Sequence, residues 1–419
     1  MDALAPRIQA RLDALAAISA DEGAITRLYL TPEQARASAL VVGWMREAGL
    51  TPRVDAAGNV IGRIEAVEPG APALVIGSHL DTVRDAGQYD GPLGVVTGIA
   101  CVEALVREGV RLPFAVEVVG FADEEGTRFN ATLIGSRAFA GTFDPDKLDC
   151  PDGQGVTIAG ALRAAGLDPD RFHEAARRAG EILAYLELHI EQGPGLERAG
   201  LPVGLVTAIS GATRLAVTLE GEAGHAGTVA MDGRRDALAG AAACILAVEA
   251  RCRTDAGLVG TVGSLTATPG AVNVIPGRVG FSLDLRAPDD GLRRAALADI
   301  GSAWEAIAAE RNLSLTKRIT HDAPCVPCDP AWMERIATAI AEEGYPVHPL
   351  PSGAGHDGMA VVALAPVAML FVRCRGGISH NPAEFASLED IEAGARVLLR
   401  VLRGLAAEHD ASGPLVLDP

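Results

Sequence analysis

"AVEVVGFADEEGTRF", residues 115–129, runs apolar for most of its first half and then carries three consecutive acids, Asp123, Glu124 and Glu125. The run reads as a buried strand that delivers carboxylates at its C-terminal end. Either those acids form a solvated turn, or they face cations supplied from elsewhere. Neighbouring segments decide the fold class. "APALVIGSHLDT" (71–82) is a second buried-type strand ending in polar residues, and "GPLGVVTGIACVEALVREGV" (91–110) between the two has helical periodicity. Strand–helix–strand alternation predicts an α/β fold with a mostly parallel sheet covered by helices. Ligands of such sheets gather at the carboxyl ends of the strands, where residues 78–82 and 123–125 both lie. "EILAYLELHIEQ" (181–192) is a third such segment, ending in His189 and Glu191, and "VAMLFVRC" (367–374) resumes the pattern.

Between these the texture changes. "TRLAVTLEGEAGHAGT" alternates like a half-exposed strand, "RRDALAGAAACILAVEARCR" is an amphipathic helix, and 258–288 reads as two strands around a Pro/Gly turn before a further helix. This order predicts a compact α+β domain over 210–322, inserted into a catalytic domain made of 1–209 and 323–419.

With 419 residues the chain is too long for one ordinary core, and 49% hydrophobic content fits a packed protein. A net charge of −18 argues against binding a nucleic-acid backbone. No segment approaches the roughly 20 apolar residues of a membrane span. The N-terminal stretch reads as an amphipathic helix rather than a signal peptide, so a cytoplasmic location is expected. Seven cysteines do not make a disulfide framework, and the lone pair Cys325/Cys328 reads as two small apolar residues in a loop.

Several motifs carry candidate chemistry. His79 and Asp81 stand two apart, which on a strand puts both on one face, and metal-bound imidazoles commonly give their second proton to a carboxylate. Asp90, just before the helix, is either its N-cap or a carboxylate bridging two cations. Three acids in one turn repel one another unless cations compensate. Two or three histidines with an Asp and a Glu are the donor set of Zn²⁺, and Mn²⁺ or Co²⁺ also fit.

"GSHLDT", "YDGPLGV", "DEEGTRF", "ELHIEQGP", "GHAGT", "NVIPG", "SGAGHDG" and "GISHNPAEF" occur in the order of the hydantoinase/carbamoylase amidases, and over roughly 70–400 the chain resembles that family of the M20 metallopeptidase superfamily. The resemblance implies a dinuclear metallohydrolase domain with an inserted dimerisation, or lid, domain. It implies two divalent metal ions per subunit, with Asp90 bridging, Glu125 and His380 completing one site, and His79 and His189 the other. Asp81 is then the orienting partner of His79, and Glu124 the general base. His225 would reach the active site of the partner subunit in a homodimer and polarise the scissile carbonyl. Asn273 and Arg286, expected on successive strands, would grip a substrate carboxylate, and Gln192 the ureido group, with His356 a further contact. Asp123 receives no role. "HAGTVAM" departs from the family's usual "HAGTTPM" at Val229 and Ala230 but keeps the histidine.

The implied activity is hydrolysis of the carbamoyl C–N bond of N-carbamoyl-L-amino acids or a related ureido acid such as allantoate. Where this chain has His189, the wider metallopeptidase group usually has a carboxylate, which favours this branch over a peptidase or aminoacylase. The presence of all five metal ligands and Glu124 argues against an inactive binding homologue.

Overall fold

The computed structural model describes residues 3–412, with side chains to 408. The described residues divide into two compact units: one comprises 3–207, 328–350 and 355–412, the other 208–327 and 351–354. The second unit is therefore wider than the 210–322 expected, and it recruits a short return segment that no periodicity announces.

In the first unit the strands lie in the order Thr51–Val54, Val60–Ile64, Ala115–Phe121, Ala73–His79, Ile182–Ile190, Val367–Val372, Val203–Ile209. The central four are parallel, with Leu74 opposite Val116, Leu74 opposite Ala184, and Leu370 opposite Leu188. Antiparallel strands flank them on both sides. This is a mixed α/β fold whose parallel strands form the middle of the sheet. Successive residues point to opposite faces. Leu74, Ile76, Val116 and Val118 pack in one cluster with the helices Ala5–Ala16, Pro92–Glu108 and Leu388–Ser412. Val75, Val119, Phe121 and Tyr185 pack in another, on the opposite face. A sheet covered on both faces needs continuous apolar strands, and Ala73–His79 and Ala115–Phe121 are buried along their whole length.

The second unit holds an antiparallel sheet in the order Leu265–Thr268, Arg278–Ala287, Gly211–Glu220, Ser314–Ala323, with Val259–Thr261 also paired to Arg278–Ala287. The helices Ala237–Cys252 and Asp290–Glu310 cover it, closing a core that contains Leu215, Val217, Leu219, Phe281, Leu283 and Trp304. Asp236 and Asp289 cap these helices, accepting N–H bonds in their first turns. Among the described residues all seven cysteines are free, and no helix is long and apolar enough to cross a membrane.

Candidate metal centre

The carboxyl ends of the parallel strands meet at one edge of the first unit. His79 is the last residue of its strand, Asp123–Glu125 follow Phe121, His189 is the penultimate residue of Ile182–Ile190, and His380 follows Val367–Val372. Asp90 comes from the loop before Pro92–Glu108. It is not the helix cap: that position is Gly91, and no side chain caps this helix. Gly91 has φ 82°, and a Cβ there would lie 2.5 Å from the His79 ring, so glycine is what lets the loop press Asp90 against the histidines.

Asp90 is the hub. Its Oδ1 lies 3.4 Å from His79 Nε2 and 3.1 Å from His189 Nε2. Its Oδ2 lies 3.2 Å from His380 Nε2, which is in turn 3.4 Å from Glu125 Oε1. For two of the rings the tautomer follows from the other nitrogen. His79 Nδ1 is 3.0 Å from the Asp81 carbonyl, and His189 Nδ1 is 2.9 Å from the Ile190 carbonyl. A carbonyl only accepts, so each Nδ1 carries the proton, and in the neutral ring Nε2 is a bare lone pair. That lone pair faces a carboxylate oxygen, an arrangement that repels unless a cation or a proton sits between. The Nε2 of His189 is buried and makes no hydrogen bond. The ligand atoms of His79, Asp90 and His189 lie within 4.8 Å of one another, as do those of Asp90, Glu125 and His380. The donor set therefore fits divalent cations. Protons would compete for the same gaps: beside Asp90, His380 is raised to about 9.

The acids form a crowded group in which Asp123 is buried and Glu124 and Glu125 are half-buried. Burial pushes Glu124 well above the usual carboxylate range, with Glu125, Asp357 and Asp81 adding repulsion. Burial and Asp90 push Glu125 up to about 7. Asp123 is not an exposed turn residue: it is buried, and burial with the Asp81 charge raises it strongly.

Asp81 acts differently from the expectation. The strand ends at His79, so the two do not share a strand face. The carbonyl of Asp81, not its carboxylate, holds His79 Nδ1 at the shorter distance, the carboxylate standing 3.5 Å away. The carboxylate instead accepts the N–H groups of Glu124 (2.9 Å) and Glu125 (3.2 Å), fixing the turn that presents both. Gln192 has φ 57° and donates Nε2 to Asp90 Oδ2 at 2.7 Å, leaving its buried Oε1 unpartnered. His356 is buried, its ring 4.6 Å from that of His189, and burial holds it well below the usual imidazole range.

The remaining candidates belong to the second unit. His225 is exposed, and its Nδ1 accepts the Gly227 N–H at 3.0 Å, so in the neutral ring Nε2 carries the proton. Asn273 lies in the turn before Val274–Ile275 rather than on a strand, and its carbonyl accepts the Ala226 N–H. Arg286 is on Arg278–Ala287 as expected. Asp284 takes its Nε and one Nη2 proton, at 2.9 and 3.0 Å, and the Gly353 carbonyl takes one from Nη1. Among the described residues these bonds use three of its five N–H donors and leave one on each terminal nitrogen.

The sequence reading missed Glu187, Ser379, Glu384 and Asp357. Glu187 stands two before His189 on the same buried strand face, a legible signal. Ser379 and Glu384 stand on either side of His380 within "GISHNPAEF", but nothing in the spacing tells that both reach Asp90.

Residues 75–404 match the family model for peptidase family M20/M25/M40. The chain belongs to this family. Within it, the chain is 47% identical over 384 residues to the N-carbamoyl-L-amino acid amidohydrolase of Geobacillus stearothermophilus, covering 92% of this chain and 94% of that one. It is 40% identical over 426 residues to the allantoate deiminase of Arabidopsis thaliana, covering 94% and 81%. A solved amidase of the hydantoinase/carbamoylase family from Burkholderia multivorans superposes with TM-score 0.90 at 36% identity, covering 96% and 98%. These M20 relatives bear out the family that the order of motifs first suggested.

Proposed function

We propose that this M20 protein is a metal-dependent amidohydrolase that cleaves the carbamoyl C–N bond of an N-carbamoyl-L-amino acid or a related ureido acid such as allantoate. The observation that carries the metal dependence is Asp90, with the Nε2 atoms of three histidines set against its two oxygens. The names of the amidohydrolase and deiminase relatives carry the substrate class. Two cations per subunit would be held by His79, Asp90 and His189 and by Asp90, Glu125 and His380, zinc being the first expectation and manganese or cobalt the alternatives. When bound, such cations polarise the carbamoyl oxygen and lower the pKa of water.

The chain's own groups do the rest. Glu124, half-buried and pushed up by desolvation, takes a proton from the attacking water and returns it to the leaving nitrogen. C–N cleavage then yields the amino acid and carbamic acid, which decomposes to ammonia and CO₂. Asp81 holds Glu124 and Glu125 in place through their N–H groups. Gln192 keeps an unpartnered Oε1 suited to a ureido N–H. We further propose that Arg286 and Asn273 anchor the substrate carboxylate. His225, with its proton on Nε2, would serve the oxyanion in the partner subunit of a homodimer.

The deciding experiment is ammonia release from N-carbamoyl-L-amino acids, allantoate and N-carbamoyl-β-alanine, with dipeptides as controls. Turnover of dipeptides and of no ureido acid would replace this reading with a peptidase or aminoacylase. For the shared site, His225→Ala chains mixed with Glu124→Gln chains should regain activity, because one site of a mixed dimer has both groups. Failure to regain any would remove the in-trans role.

A further inference from the structure

We propose that Glu384 is a positioning residue that sets the orientation of Asp90, and so the cation affinity of the centre. This rests on the reading of Asp90 as the shared ligand. Glu384 is 5% exposed and meets no lysine or arginine in an ion pair among the described residues. Its Oε1 accepts the N–H groups of Tyr89 (2.8 Å) and of Asp90 itself (3.1 Å). Its Oε2 lies 2.8 Å from the Ser379 hydroxyl, which is 2.7 Å from Asp90 Oδ2. One carboxylate thus holds the main chain of Asp90, and its second oxygen meets the same Ser379 hydroxyl as Asp90 Oδ2, the single hydroxyl proton serving one of the two at a time. The loop passes so close that a Cβ on Gly87 would collide with the Glu384 side chain.

The need for such a grip follows from what Asp90 must do. Its two oxygens face different histidines, and a carboxylate free to rotate about its last side-chain bond would present neither pair correctly. Ser379 and Gln192 both bond Oδ2 at 2.7 Å, which leaves Oδ1 for His79 and His189 and fixes the rotation. Ser379 and Glu384 also bracket His380, whose φ of 53° is one that non-glycine residues rarely adopt. Such a conformation persists only where the surroundings hold it. The segment 379–384 therefore delivers one ligand and aims another.

The test is the affinity of the metal-free full-length protein for Zn²⁺, measured by competition with a chromophoric chelator, alongside the melting temperature of each metal-free protein. Glu384→Ala should weaken Zn²⁺ binding by about 10–100-fold, the usual loss when an outer partner of a ligand is removed. Glu384→Gln keeps an oxygen for the Tyr89 and Asp90 N–H groups and an amide for Ser379, and should stay within about threefold of the parent by the same reasoning. Parental affinity in Glu384→Ala, or an equal loss in Glu384→Gln, would overturn the proposal. If Glu384→Ala does not fold, Ser379→Ala decides: weaker Zn²⁺ binding with an unchanged metal-free melting temperature supports it, and parental affinity overturns it. A parent protein that takes up no cation would overturn the metal reading, and this inference with it.

Discussion

The strand Ala115–Phe121 handles negative charge in opposite ways at its middle and beyond its end. Glu117 is buried within it, and two guanidiniums meet it: Arg63 Nη1 at 3.1 Å and Arg177 Nη1 at 2.6 Å. A few residues on, Asp123, Glu124 and Glu125 are just as crowded, yet among the described residues no lysine or arginine forms an ion pair with any of them; Glu125 meets only the His380 imidazole. A buried charge must be paired, protonated or metal-bound. The chain supplies its own cations to acids that hold structure together, as it does for Asp290 and Asp322 through the buried Arg293 in the second unit. It withholds them from the acids at the strand ends, which leaves room for cations from solution.

That contrast can be broken most completely by metal removal. A chelated, dialysed protein should lose essentially all ammonia-releasing activity, regain it on adding Zn²⁺, Mn²⁺ or Co²⁺, and keep its far-UV circular dichroism, because the Glu117 end needs no added cation. Undiminished activity with no metal detected by elemental analysis would end the comparison. Next in size, Glu124→Gln should lower kcat by about 10²–10⁴-fold, the span of general-base contributions, while the metal content stays parental. Metal lost along with activity would mean that Glu124 and Glu125 have exchanged roles. Glu117→Ala removes the acid from two arginines and should destabilise the fold by about 3–5 kcal/mol, read as a shifted denaturation midpoint. The kcat/KM of its folded fraction should stay near the parent's, and a loss on the scale of Glu124→Gln would show that the two regions are not separable. At the small end, Asp299→Asn breaks an exposed pair with Arg251, at 2.8 Å, and should leave the midpoint in the same denaturation assay close to the parent's.

What could be read from the sequence follows from which contacts are local. The parallel strands were legible because burial on both faces makes them continuously apolar, and their polar ends marked His79, Glu124, Glu125 and His189 as neighbours at one edge. The strand Ser314–Ala323 escaped because most of its side chains are exposed, so "SLTKRITHDA" shows no buried alternation. Asp90 was ambiguous because capping and bridging ask for the same side chain; only the helix cap at Gly91 separates them. Asp81 sat at the right spacing for the wrong reason, since its carbonyl and carboxylate hold two different things. Glu384 was out of reach of any spacing argument, because it meets Asp90 across 294 residues of chain.

The place of Val367–Val372 in the sheet bears on how the protein comes to be made. This late segment is inserted between Ile182–Ile190 and Val203–Ile209, parallel to one and antiparallel to the other. Until it is synthesised, the nascent chain carries a gap in its sheet with unpaired edges on two long apolar strands, the kind of surface that recruits stray strands. Pairing over such sequence distances is also slow. His380 emerges later still, so the ribosome must pass residue 380 before both oxygens of Asp90 can meet their histidines. Premature termination anywhere before residue 380 thus yields a product with an incomplete centre, and before residue 367 one with an open, aggregation-prone sheet as well.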